Sequence, residues 1–204
     1  DLHSFPTRRS SDLWSWLEHD FDAMVEMFYE ILIAQESEIA SRNEQIAVFS
    51  LQLGREMGLR EGELRELRAA ALLYNLGKIS IYQERVNASS NPAFCEVEDY
   101  SVQSARLLEK IERMRGIADI IRFHRAPFDP DDVSRKVPLG SSILRLAILI
   151  VDYLSSLRDL SALDSASERI LIQLIRGRAG LDFAPGMTER FVRAVSALAS
   201  REAR

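Results

Sequence analysis

The sequence predicts an all-α protein, a bundle of seven or eight helices. Apolar residues recur at helical spacing, and no run sustains the alternation of a half-buried strand. Gly58, Gly77, Pro92, Pro127 and Pro138 punctuate the periodic stretches. The 204 residues, 47% apolar and 28% charged, suffice for one domain with a continuous core.

The first periodic stretch carries Trp14, Leu17, Phe21, Met24, Phe28 and Ile31, spaced 3, 4, 3, 4, 3. This is an amphipathic helix with a short a/d seam, read either as packing on its own domain or as a connecting helix that pairs two copies. A helix over residues 43–57 follows, with Ile46, Phe49, Ser50, Leu53 and Met57 on one face and Gly58 at the C′ position. The next begins near Glu61, lines up Leu64, Leu67, Ala71 and Tyr74, and ends at Gly77. Residues 80–93 read as a loop, 97–114 as a helix and 117–123 as another. Residues 126–137, rich in Pro, Asp and Ser, are a second loop. Pro138 suits the first turn of a helix reaching about Leu157, since its missing N–H costs nothing there. Two more helices are expected, over 165–176 and 188–199.

Composition narrows the function classes. The formal net charge is −5 with no Lys- or Arg-rich run, which speaks against nucleic acid as a partner. Cys95 is the only cysteine, so neither an intrachain disulfide nor a cysteine-rich zinc cluster can form, and a reducing cytoplasmic setting is expected. Cys95 has no basic neighbour in sequence to activate it and reads as inert. The longest apolar stretch, residues 143–154, holds Arg145 and Asp152 and falls short of the roughly 20 residues of a membrane span, so it reads as a buried helix. No secretory signal pattern opens the chain. Residues 1–13, DLHSFPTRRSSDL, lack useful periodicity and read as a non-native or disordered leader, His3 included. Residues 14–40 are expected to form a connecting helix, whose His19 lies on the polar side, and residues 41–204 the main domain.

The stretch AAALLYNLGKISI, residues 69–81, carries the most information. It resembles the signature of HD-GYP domains, in which an apolar helix end leads into His-Asp and then a hydrophobic-Gly-Lys-Ile segment. Residues 42–59 resemble the family's helix that opens on a ligand His and closes on a Gly-Leu turn. Residues 100–111 resemble the helix bearing the next ligand His. IADIIRFHRAPFD (117–129) resembles the paired-His segment, and VPLGSSILRLAILIVDYLSSL (137–157) the helix with the last Asp ligand. LDFAPGMTERFV (181–192) resembles the closing helix start. The pieces stand in order across residues 20–195.

The resemblance implies two or three iron or manganese ions that activate a water against a phosphodiester, usually cyclic di-GMP. Carried over residue by residue, it places a degenerate ligand set here. The first His falls on Arg42, the His-Asp pair on Tyr74 and Asn75, the next His on Tyr100, and the first of the paired His on Phe123. His124 and Asp152 survive as vestigial ligands, and Lys78 matches the phosphate-meeting lysine. The Gly-Tyr-Pro loop is absent; Pro127, Phe128, Asp129 and Pro130 stand where it would begin. One imidazole and one carboxylate cannot hold a di-iron centre, and three rings, Tyr74, Tyr100 and Phe123, are expected to occupy the vacated space. Each survivor also has an ordinary reading. His124 can be a hydrogen-bonded core histidine, Asp152 can pair with a nearby Arg or Lys, Asn75 can hydrogen-bond at the helix end, and Lys78 suits a helix C-terminus.

The expected function is therefore a bacterial signal-transduction module, an HD-GYP-like pseudoenzyme without cofactor, acting through protein or nucleotide binding. Implied partners are an upstream receiver or sensor domain and a second copy bound through helix 14–31, with loops 80–93 and 126–137 as candidate recognition surfaces. The alternatives are a phosphohydrolase with a reduced iron or manganese site built on Lys78, His124 and Asp152, and a metal-free regulatory scaffold of the related HDOD type.

Overall fold

A computed structural model describes residues 10–35, 37–79, 100–129, 137–157 and 165–202, with side chains from residue 20 to 200 except 36–38. Eight α-helices are described: α1 (Ser10–Gln35), α2 (Ser37–Glu56), α3 (Glu61–Leu73), α4 (Tyr100–Leu108), α5 (Arg115–Phe123), α6 (Leu139–Ser156), α7 (Ser165–Gly177) and α8 (Pro185–Glu202). A single 3-10 turn, Glu112–Met114, leads into α5. Among the described residues there is no strand beyond one isolated bridge between Ala179 and Phe183, so the architecture is all-α.

The hydrophobic pattern explains the layering. Helix α2 packs against α1, α3, α6 and α8, and α3 against α1, α5 and α6. Ile46, Leu53, Leu67, Leu73, Ile117, Ile121, Ile143, Leu144, Ile150 and Phe191 are all at 0–1% exposure within one core. Helix α6 is apolar and long enough to pass a length-and-composition test for a membrane span. Nine of its residues, Gly140 to Leu154, turn into this core.

Helix ends follow the sequence signals where glycine or proline supplies them. Gly58 has φ +78. The amides of Gly58 and Leu59 close onto the carbonyls of Arg55 and Gly54 at 3.0 and 2.9 Å, satisfying the last turn of α2. Helix α2 begins six residues earlier than the expected residue 43, and α8 begins at Pro185 rather than Thr188. Pro185 is the first-turn proline that the reading applied only to Pro138.

Two expectations are corrected. The single helix expected over 97–114 is broken after Leu108, since Ile111 is extended (φ −103, ψ 113) ahead of the 3-10 turn. Leu108, Met114 and Ile117 all enter the same core at 0–1% exposure, and the reversal lets α4 and α5 pack side by side. The Arg122–Glu109 ion pair ties the two together across the break. The face of α1 is also rotated. Phe21, Val25, Tyr29 and Leu32 are buried at 1–7%, Met24 and Phe28 flank them, and Ile31 is 46% exposed. The buried stripe has helical rather than heptad spacing, as packing on one's own core requires. Burial first, and then Glu44, push the Tyr29 hydroxyl up to about 12. That hydroxyl donates to the Ala40 carbonyl at 3.0 Å, pinning α1 to α2.

The helical backbone takes in residues 10–13 of the presumed leader. Residues 1–9, the side chains of Trp14, Leu17 and His19, Cys95, and the loop 80–93 lie outside the described residues, as do 130–136 of the second loop.

Candidate functional site

The positions singled out in the sequence come from five helices and meet at one place. Helix α2 contributes Arg42, the end of α3 Tyr74 and Asn75, α4 Tyr100, the end of α5 Phe123 and His124, and α6 Asp152. Tyr74 caps α3 in helical geometry (φ −61, ψ −20). The chain then tightens into i→i+3 turns, with Leu76, Lys78 and Ile79 amides on the carbonyls of Leu73, Asn75 and Leu76.

Arg42 reaches across the constellation. Its Nη1 donates to Asp152 Oδ1 at 2.5 Å and its Nε to the Tyr74 hydroxyl at 3.4 Å. Burial opposes its charge, yet the bonds to Asp152 and Tyr74 outweigh burial and hold its pKa above the ordinary arginine range. The guanidinium side chain is 38% exposed and the carboxylate 53%, so the pair stands at the mouth of the site. An ion pair that open to water contributes about 0–1 kcal/mol. Its consequence is chemical: the surviving carboxylate is already matched by a fixed cation.

Tyr74 is 2% exposed. Its ring meets His124 edge-on with centroids 5.8 Å apart and lies 6.4 Å from Tyr100. Tyr100 and Phe123 are only half-buried, being the first residue of α4 and the last of α5. The fully buried rings here are thus Tyr74 and the His124 imidazole against it, with Tyr100 and Phe123 at the margin. His124 is 2% exposed, with Nδ1 2.6 Å from the Ile121 carbonyl, one turn back on its own helix. Lys78 is half-buried, and its ammonium sits 5.7 Å from the Tyr100 ring centroid. The Arg125 guanidinium lies 4.6 Å from the same centroid and bonds the Tyr100 hydroxyl.

Two buried polar residues escaped the sequence reading. Asn43 is fully buried; its amide donates to the Leu72 carbonyl at 2.8 Å and its oxygen accepts from Asn75 Nδ2 at 3.2 Å. Asn75 Oδ1 is buried without a hydrogen-bond partner among the described residues. Ser104, also fully buried, accepts from the Gly77 amide at 2.7 Å and lies 2.8 Å from the carbonyls of Tyr74 and Tyr100. It clamps the turn after α3 onto α4. Asn43 was legible in principle, since it stands three residues before Ile46 on the buried face. Truncating it strands the Leu72 carbonyl and the Asn75 amide. Asn43→Ala is therefore expected to cost about 1–3 kcal/mol in urea unfolding, with secondary structure unchanged by circular dichroism.

Among the described residues, no three His, Cys, Asp or Glu side chains come together to hold an ion. The donor set at the resemblance-implied positions is one imidazole and one carboxylate, and the carboxylate is taken by Arg42. The residues present do not fit a di-iron or di-manganese centre, which needs several anionic or imidazole donors on one cavity.

An all-helical bundle that gathers five helices around a polar centre at the end of α3 defines a class of helical domain built for a central site. More closely, the HD domain family model matches residues 26–155, well over half of the chain, and the chain belongs to the HD domain family. The match runs from the middle of α1 to the last turn of α6 and so spans every position in the constellation. HD domains are generally metal-dependent phosphohydrolases. No curated protein matches the chain.

Proposed function

We propose that the chain is a signalling module of the HD-GYP-like branch that has exchanged phosphodiesterase chemistry for a fixed ion pair. The observation that carries this reading is the Arg42–Asp152 contact at 2.5 Å. In the active family pattern, the first and last ligand positions are drawn together by a shared cation, the metal. Here the residue at the first position is itself the cation, and the residue at the last is its counter-ion. The bundle keeps the electrostatic cross-link between α2 and α6 and no longer needs the metal for it. Tyr74 in place of an imidazole, and Asn75 in place of a carboxylate, remove the strongest donors and add bulk and a neutral amide. Such a domain acts by what it binds, a protein partner or a nucleotide, and an upstream receiver or sensor domain is its natural input. A cytoplasmic setting follows from that role.

The test is metal content and hydrolysis on one preparation, made without a metal-binding tag and supplied with iron and manganese. Fewer than about 0.1 ion per chain and no cleavage of cyclic di-GMP are expected, because a lone imidazole beside a neutralised carboxylate gives the metal too little. One or more tightly held ions per chain, with hydrolysis lost in His124→Ala, would establish the reduced-site phosphohydrolase instead.

A further inference from the structure

A helix on the surface of a domain turns charged and polar residues to water. The outward side of α1 does otherwise. Between residues 20 and 35 its exposed residues are apolar or acidic, apart from Gln35. Met27 is 52% exposed and Ile31 46%. Ala23 and Ala34 lie open on the same side. Met24 and Phe28 are half-buried along the edge that meets the core. Residues 24, 27, 28 and 31 stand at i, i+3, i+4 and i+7, the spacing by which one helix grips another. The domain's own core does not use this face, because Phe21, Val25, Tyr29 and Leu32 fill it from the other side of α1.

Charge says what fits. From Ser10 to Gln35, α1 holds six acidic residues and no Lys or Arg. Asp22 and Glu26 turn towards α3, where they reach Arg65 and Arg68 at 3.9 and 3.6 Å. Asp20 and Glu30 edge the open stripe and make no ion pair among the described residues. A second copy pairing through α1 would set this acidic face against its own like. An anionic membrane or a nucleic acid would meet the same repulsion. A helix with cations beside its apolar stripe would instead cover Met27 and Ile31 and answer Asp20 and Glu30.

The geometry points to this face of α1 as the docking surface for one amphipathic helix of a partner protein, its apolar stripe on Met27 and Ile31 and its Lys or Arg residues against Asp20 and Glu30. The small side chains of Ala23 and Ala34 leave the partner's backbone room to come close. Helix α1 places no residue in the constellation, so the surface goes beyond the reading of Arg42 and Asp152 and does not rest on it.

The experiment measures fluorescence anisotropy of labelled peptides of about 18 residues, long enough to form a helix on binding. One carries Leu at a and d with Lys around them, and the other has Glu in place of Lys. The Lys peptide is expected to bind the whole chain with Kd of about 1–10 μM at low salt, and the Glu peptide at least about tenfold more weakly. Met27→Ser with Ile31→Ser should weaken the Lys peptide by about tenfold or more. Val48→Ser, at an apolar residue of α2 that is 53% exposed, should leave it within about twofold. Asp20→Lys with Glu30→Lys should reverse the preference, so that the Glu peptide binds the better of the two. Glu112→Lys with Glu189→Lys makes the same change of net charge on other elements and should leave the order of the peptides intact. All the substituted residues are exposed, so the fold tolerates the changes. Three results would overturn the proposal: equal affinity for both peptides, the same effect from the two charge-reversed pairs, or a dimer of the chain alone that Met27→Ser with Ile31→Ser dissolves. The last would show that a second copy covers the stripe. Metal content does not enter this test, so its failure leaves the reading of Arg42 and Asp152 standing.

Discussion

Tyr74→Ala is expected to lower stability by about 3–5 kcal/mol, among the largest losses any single truncation in this chain would give. The ring is 2% exposed, meets His124 edge-on, lies tilted beside Tyr100 with centroids 6.4 Å apart, and receives a bond from Arg42 at its hydroxyl. Removing it opens a cavity at the junction of α2, α3 and α5, where close-packed neighbours cannot collapse onto it. In a domain of this size the loss moves the thermal midpoint by about 10 °C or more. Tyr74→Phe supplies the contrast. Among the described residues the hydroxyl receives one bond, at 3.4 Å, so its loss should cost less than about 1 kcal/mol. The pair separates two readings of the position. If the ring serves packing, alanine is costly and phenylalanine is nearly silent. An alanine variant within about 1 kcal/mol of the parent would mean that the ring is not what closes this cavity.

The physical reason for the fold was largely open in the sequence, and the reason for the site only partly. Helices α3 and α6 carry long apolar periods that nothing else in the chain could satisfy, and Gly58 marked a helix end by a backbone angle that only glycine adopts easily. What stayed hidden was tertiary. Residues 97–114 look like one helix because each half is helical by pattern; the break at Ile111 exists so that Leu108 and Met114 can share a core with α5. The heptad through Ile31 was visible, but Val25 and Leu32 define the buried stripe, and only the neighbours of α1 decide between the two. At the site, the positions of Arg42 and Asp152 were legible from their order in the chain. Their contact was not, because 110 residues separate them and no local rule joins them. Arg145 offered a signal that went unused: a charge inside a twelve-residue apolar run calls for a counter-charge, and the partly buried Asp182 is that partner.

Gly77→Ala should be the sharper test of how this centre is assembled. The residue follows Tyr74 and Asn75 in the turn where α3 meets α4, and its conformation is one any residue could adopt. The restriction is space. A β-carbon here would lie 2.2 Å from the Tyr100 carbonyl oxygen and 2.7 Å from the Ser104 nitrogen and the Gln103 β-carbon. Two of those three atoms are backbone, so no rotamer change relieves the clash, and the bond from the Gly77 amide to Ser104 at 2.7 Å must break as α4 moves off. Overpacking of this kind costs about 1–3 kcal/mol when side chains can adjust, and more than about 3 kcal/mol is expected where they cannot. Gly62→Ala is the control, since none of the described residues lies within 4 Å of its would-be β-carbon in the exposed first turn of α3. Alanine's helix preference should there raise stability by about 0.5–1 kcal/mol. The same chemical change thus carries opposite signs fifteen residues apart, and urea midpoints at constant slope measure both. A Gly77 variant as stable as the parent would show that α4 does not seat on this turn. The placement of Tyr100 beside Tyr74, and of Lys78 over its ring, would then fall with it.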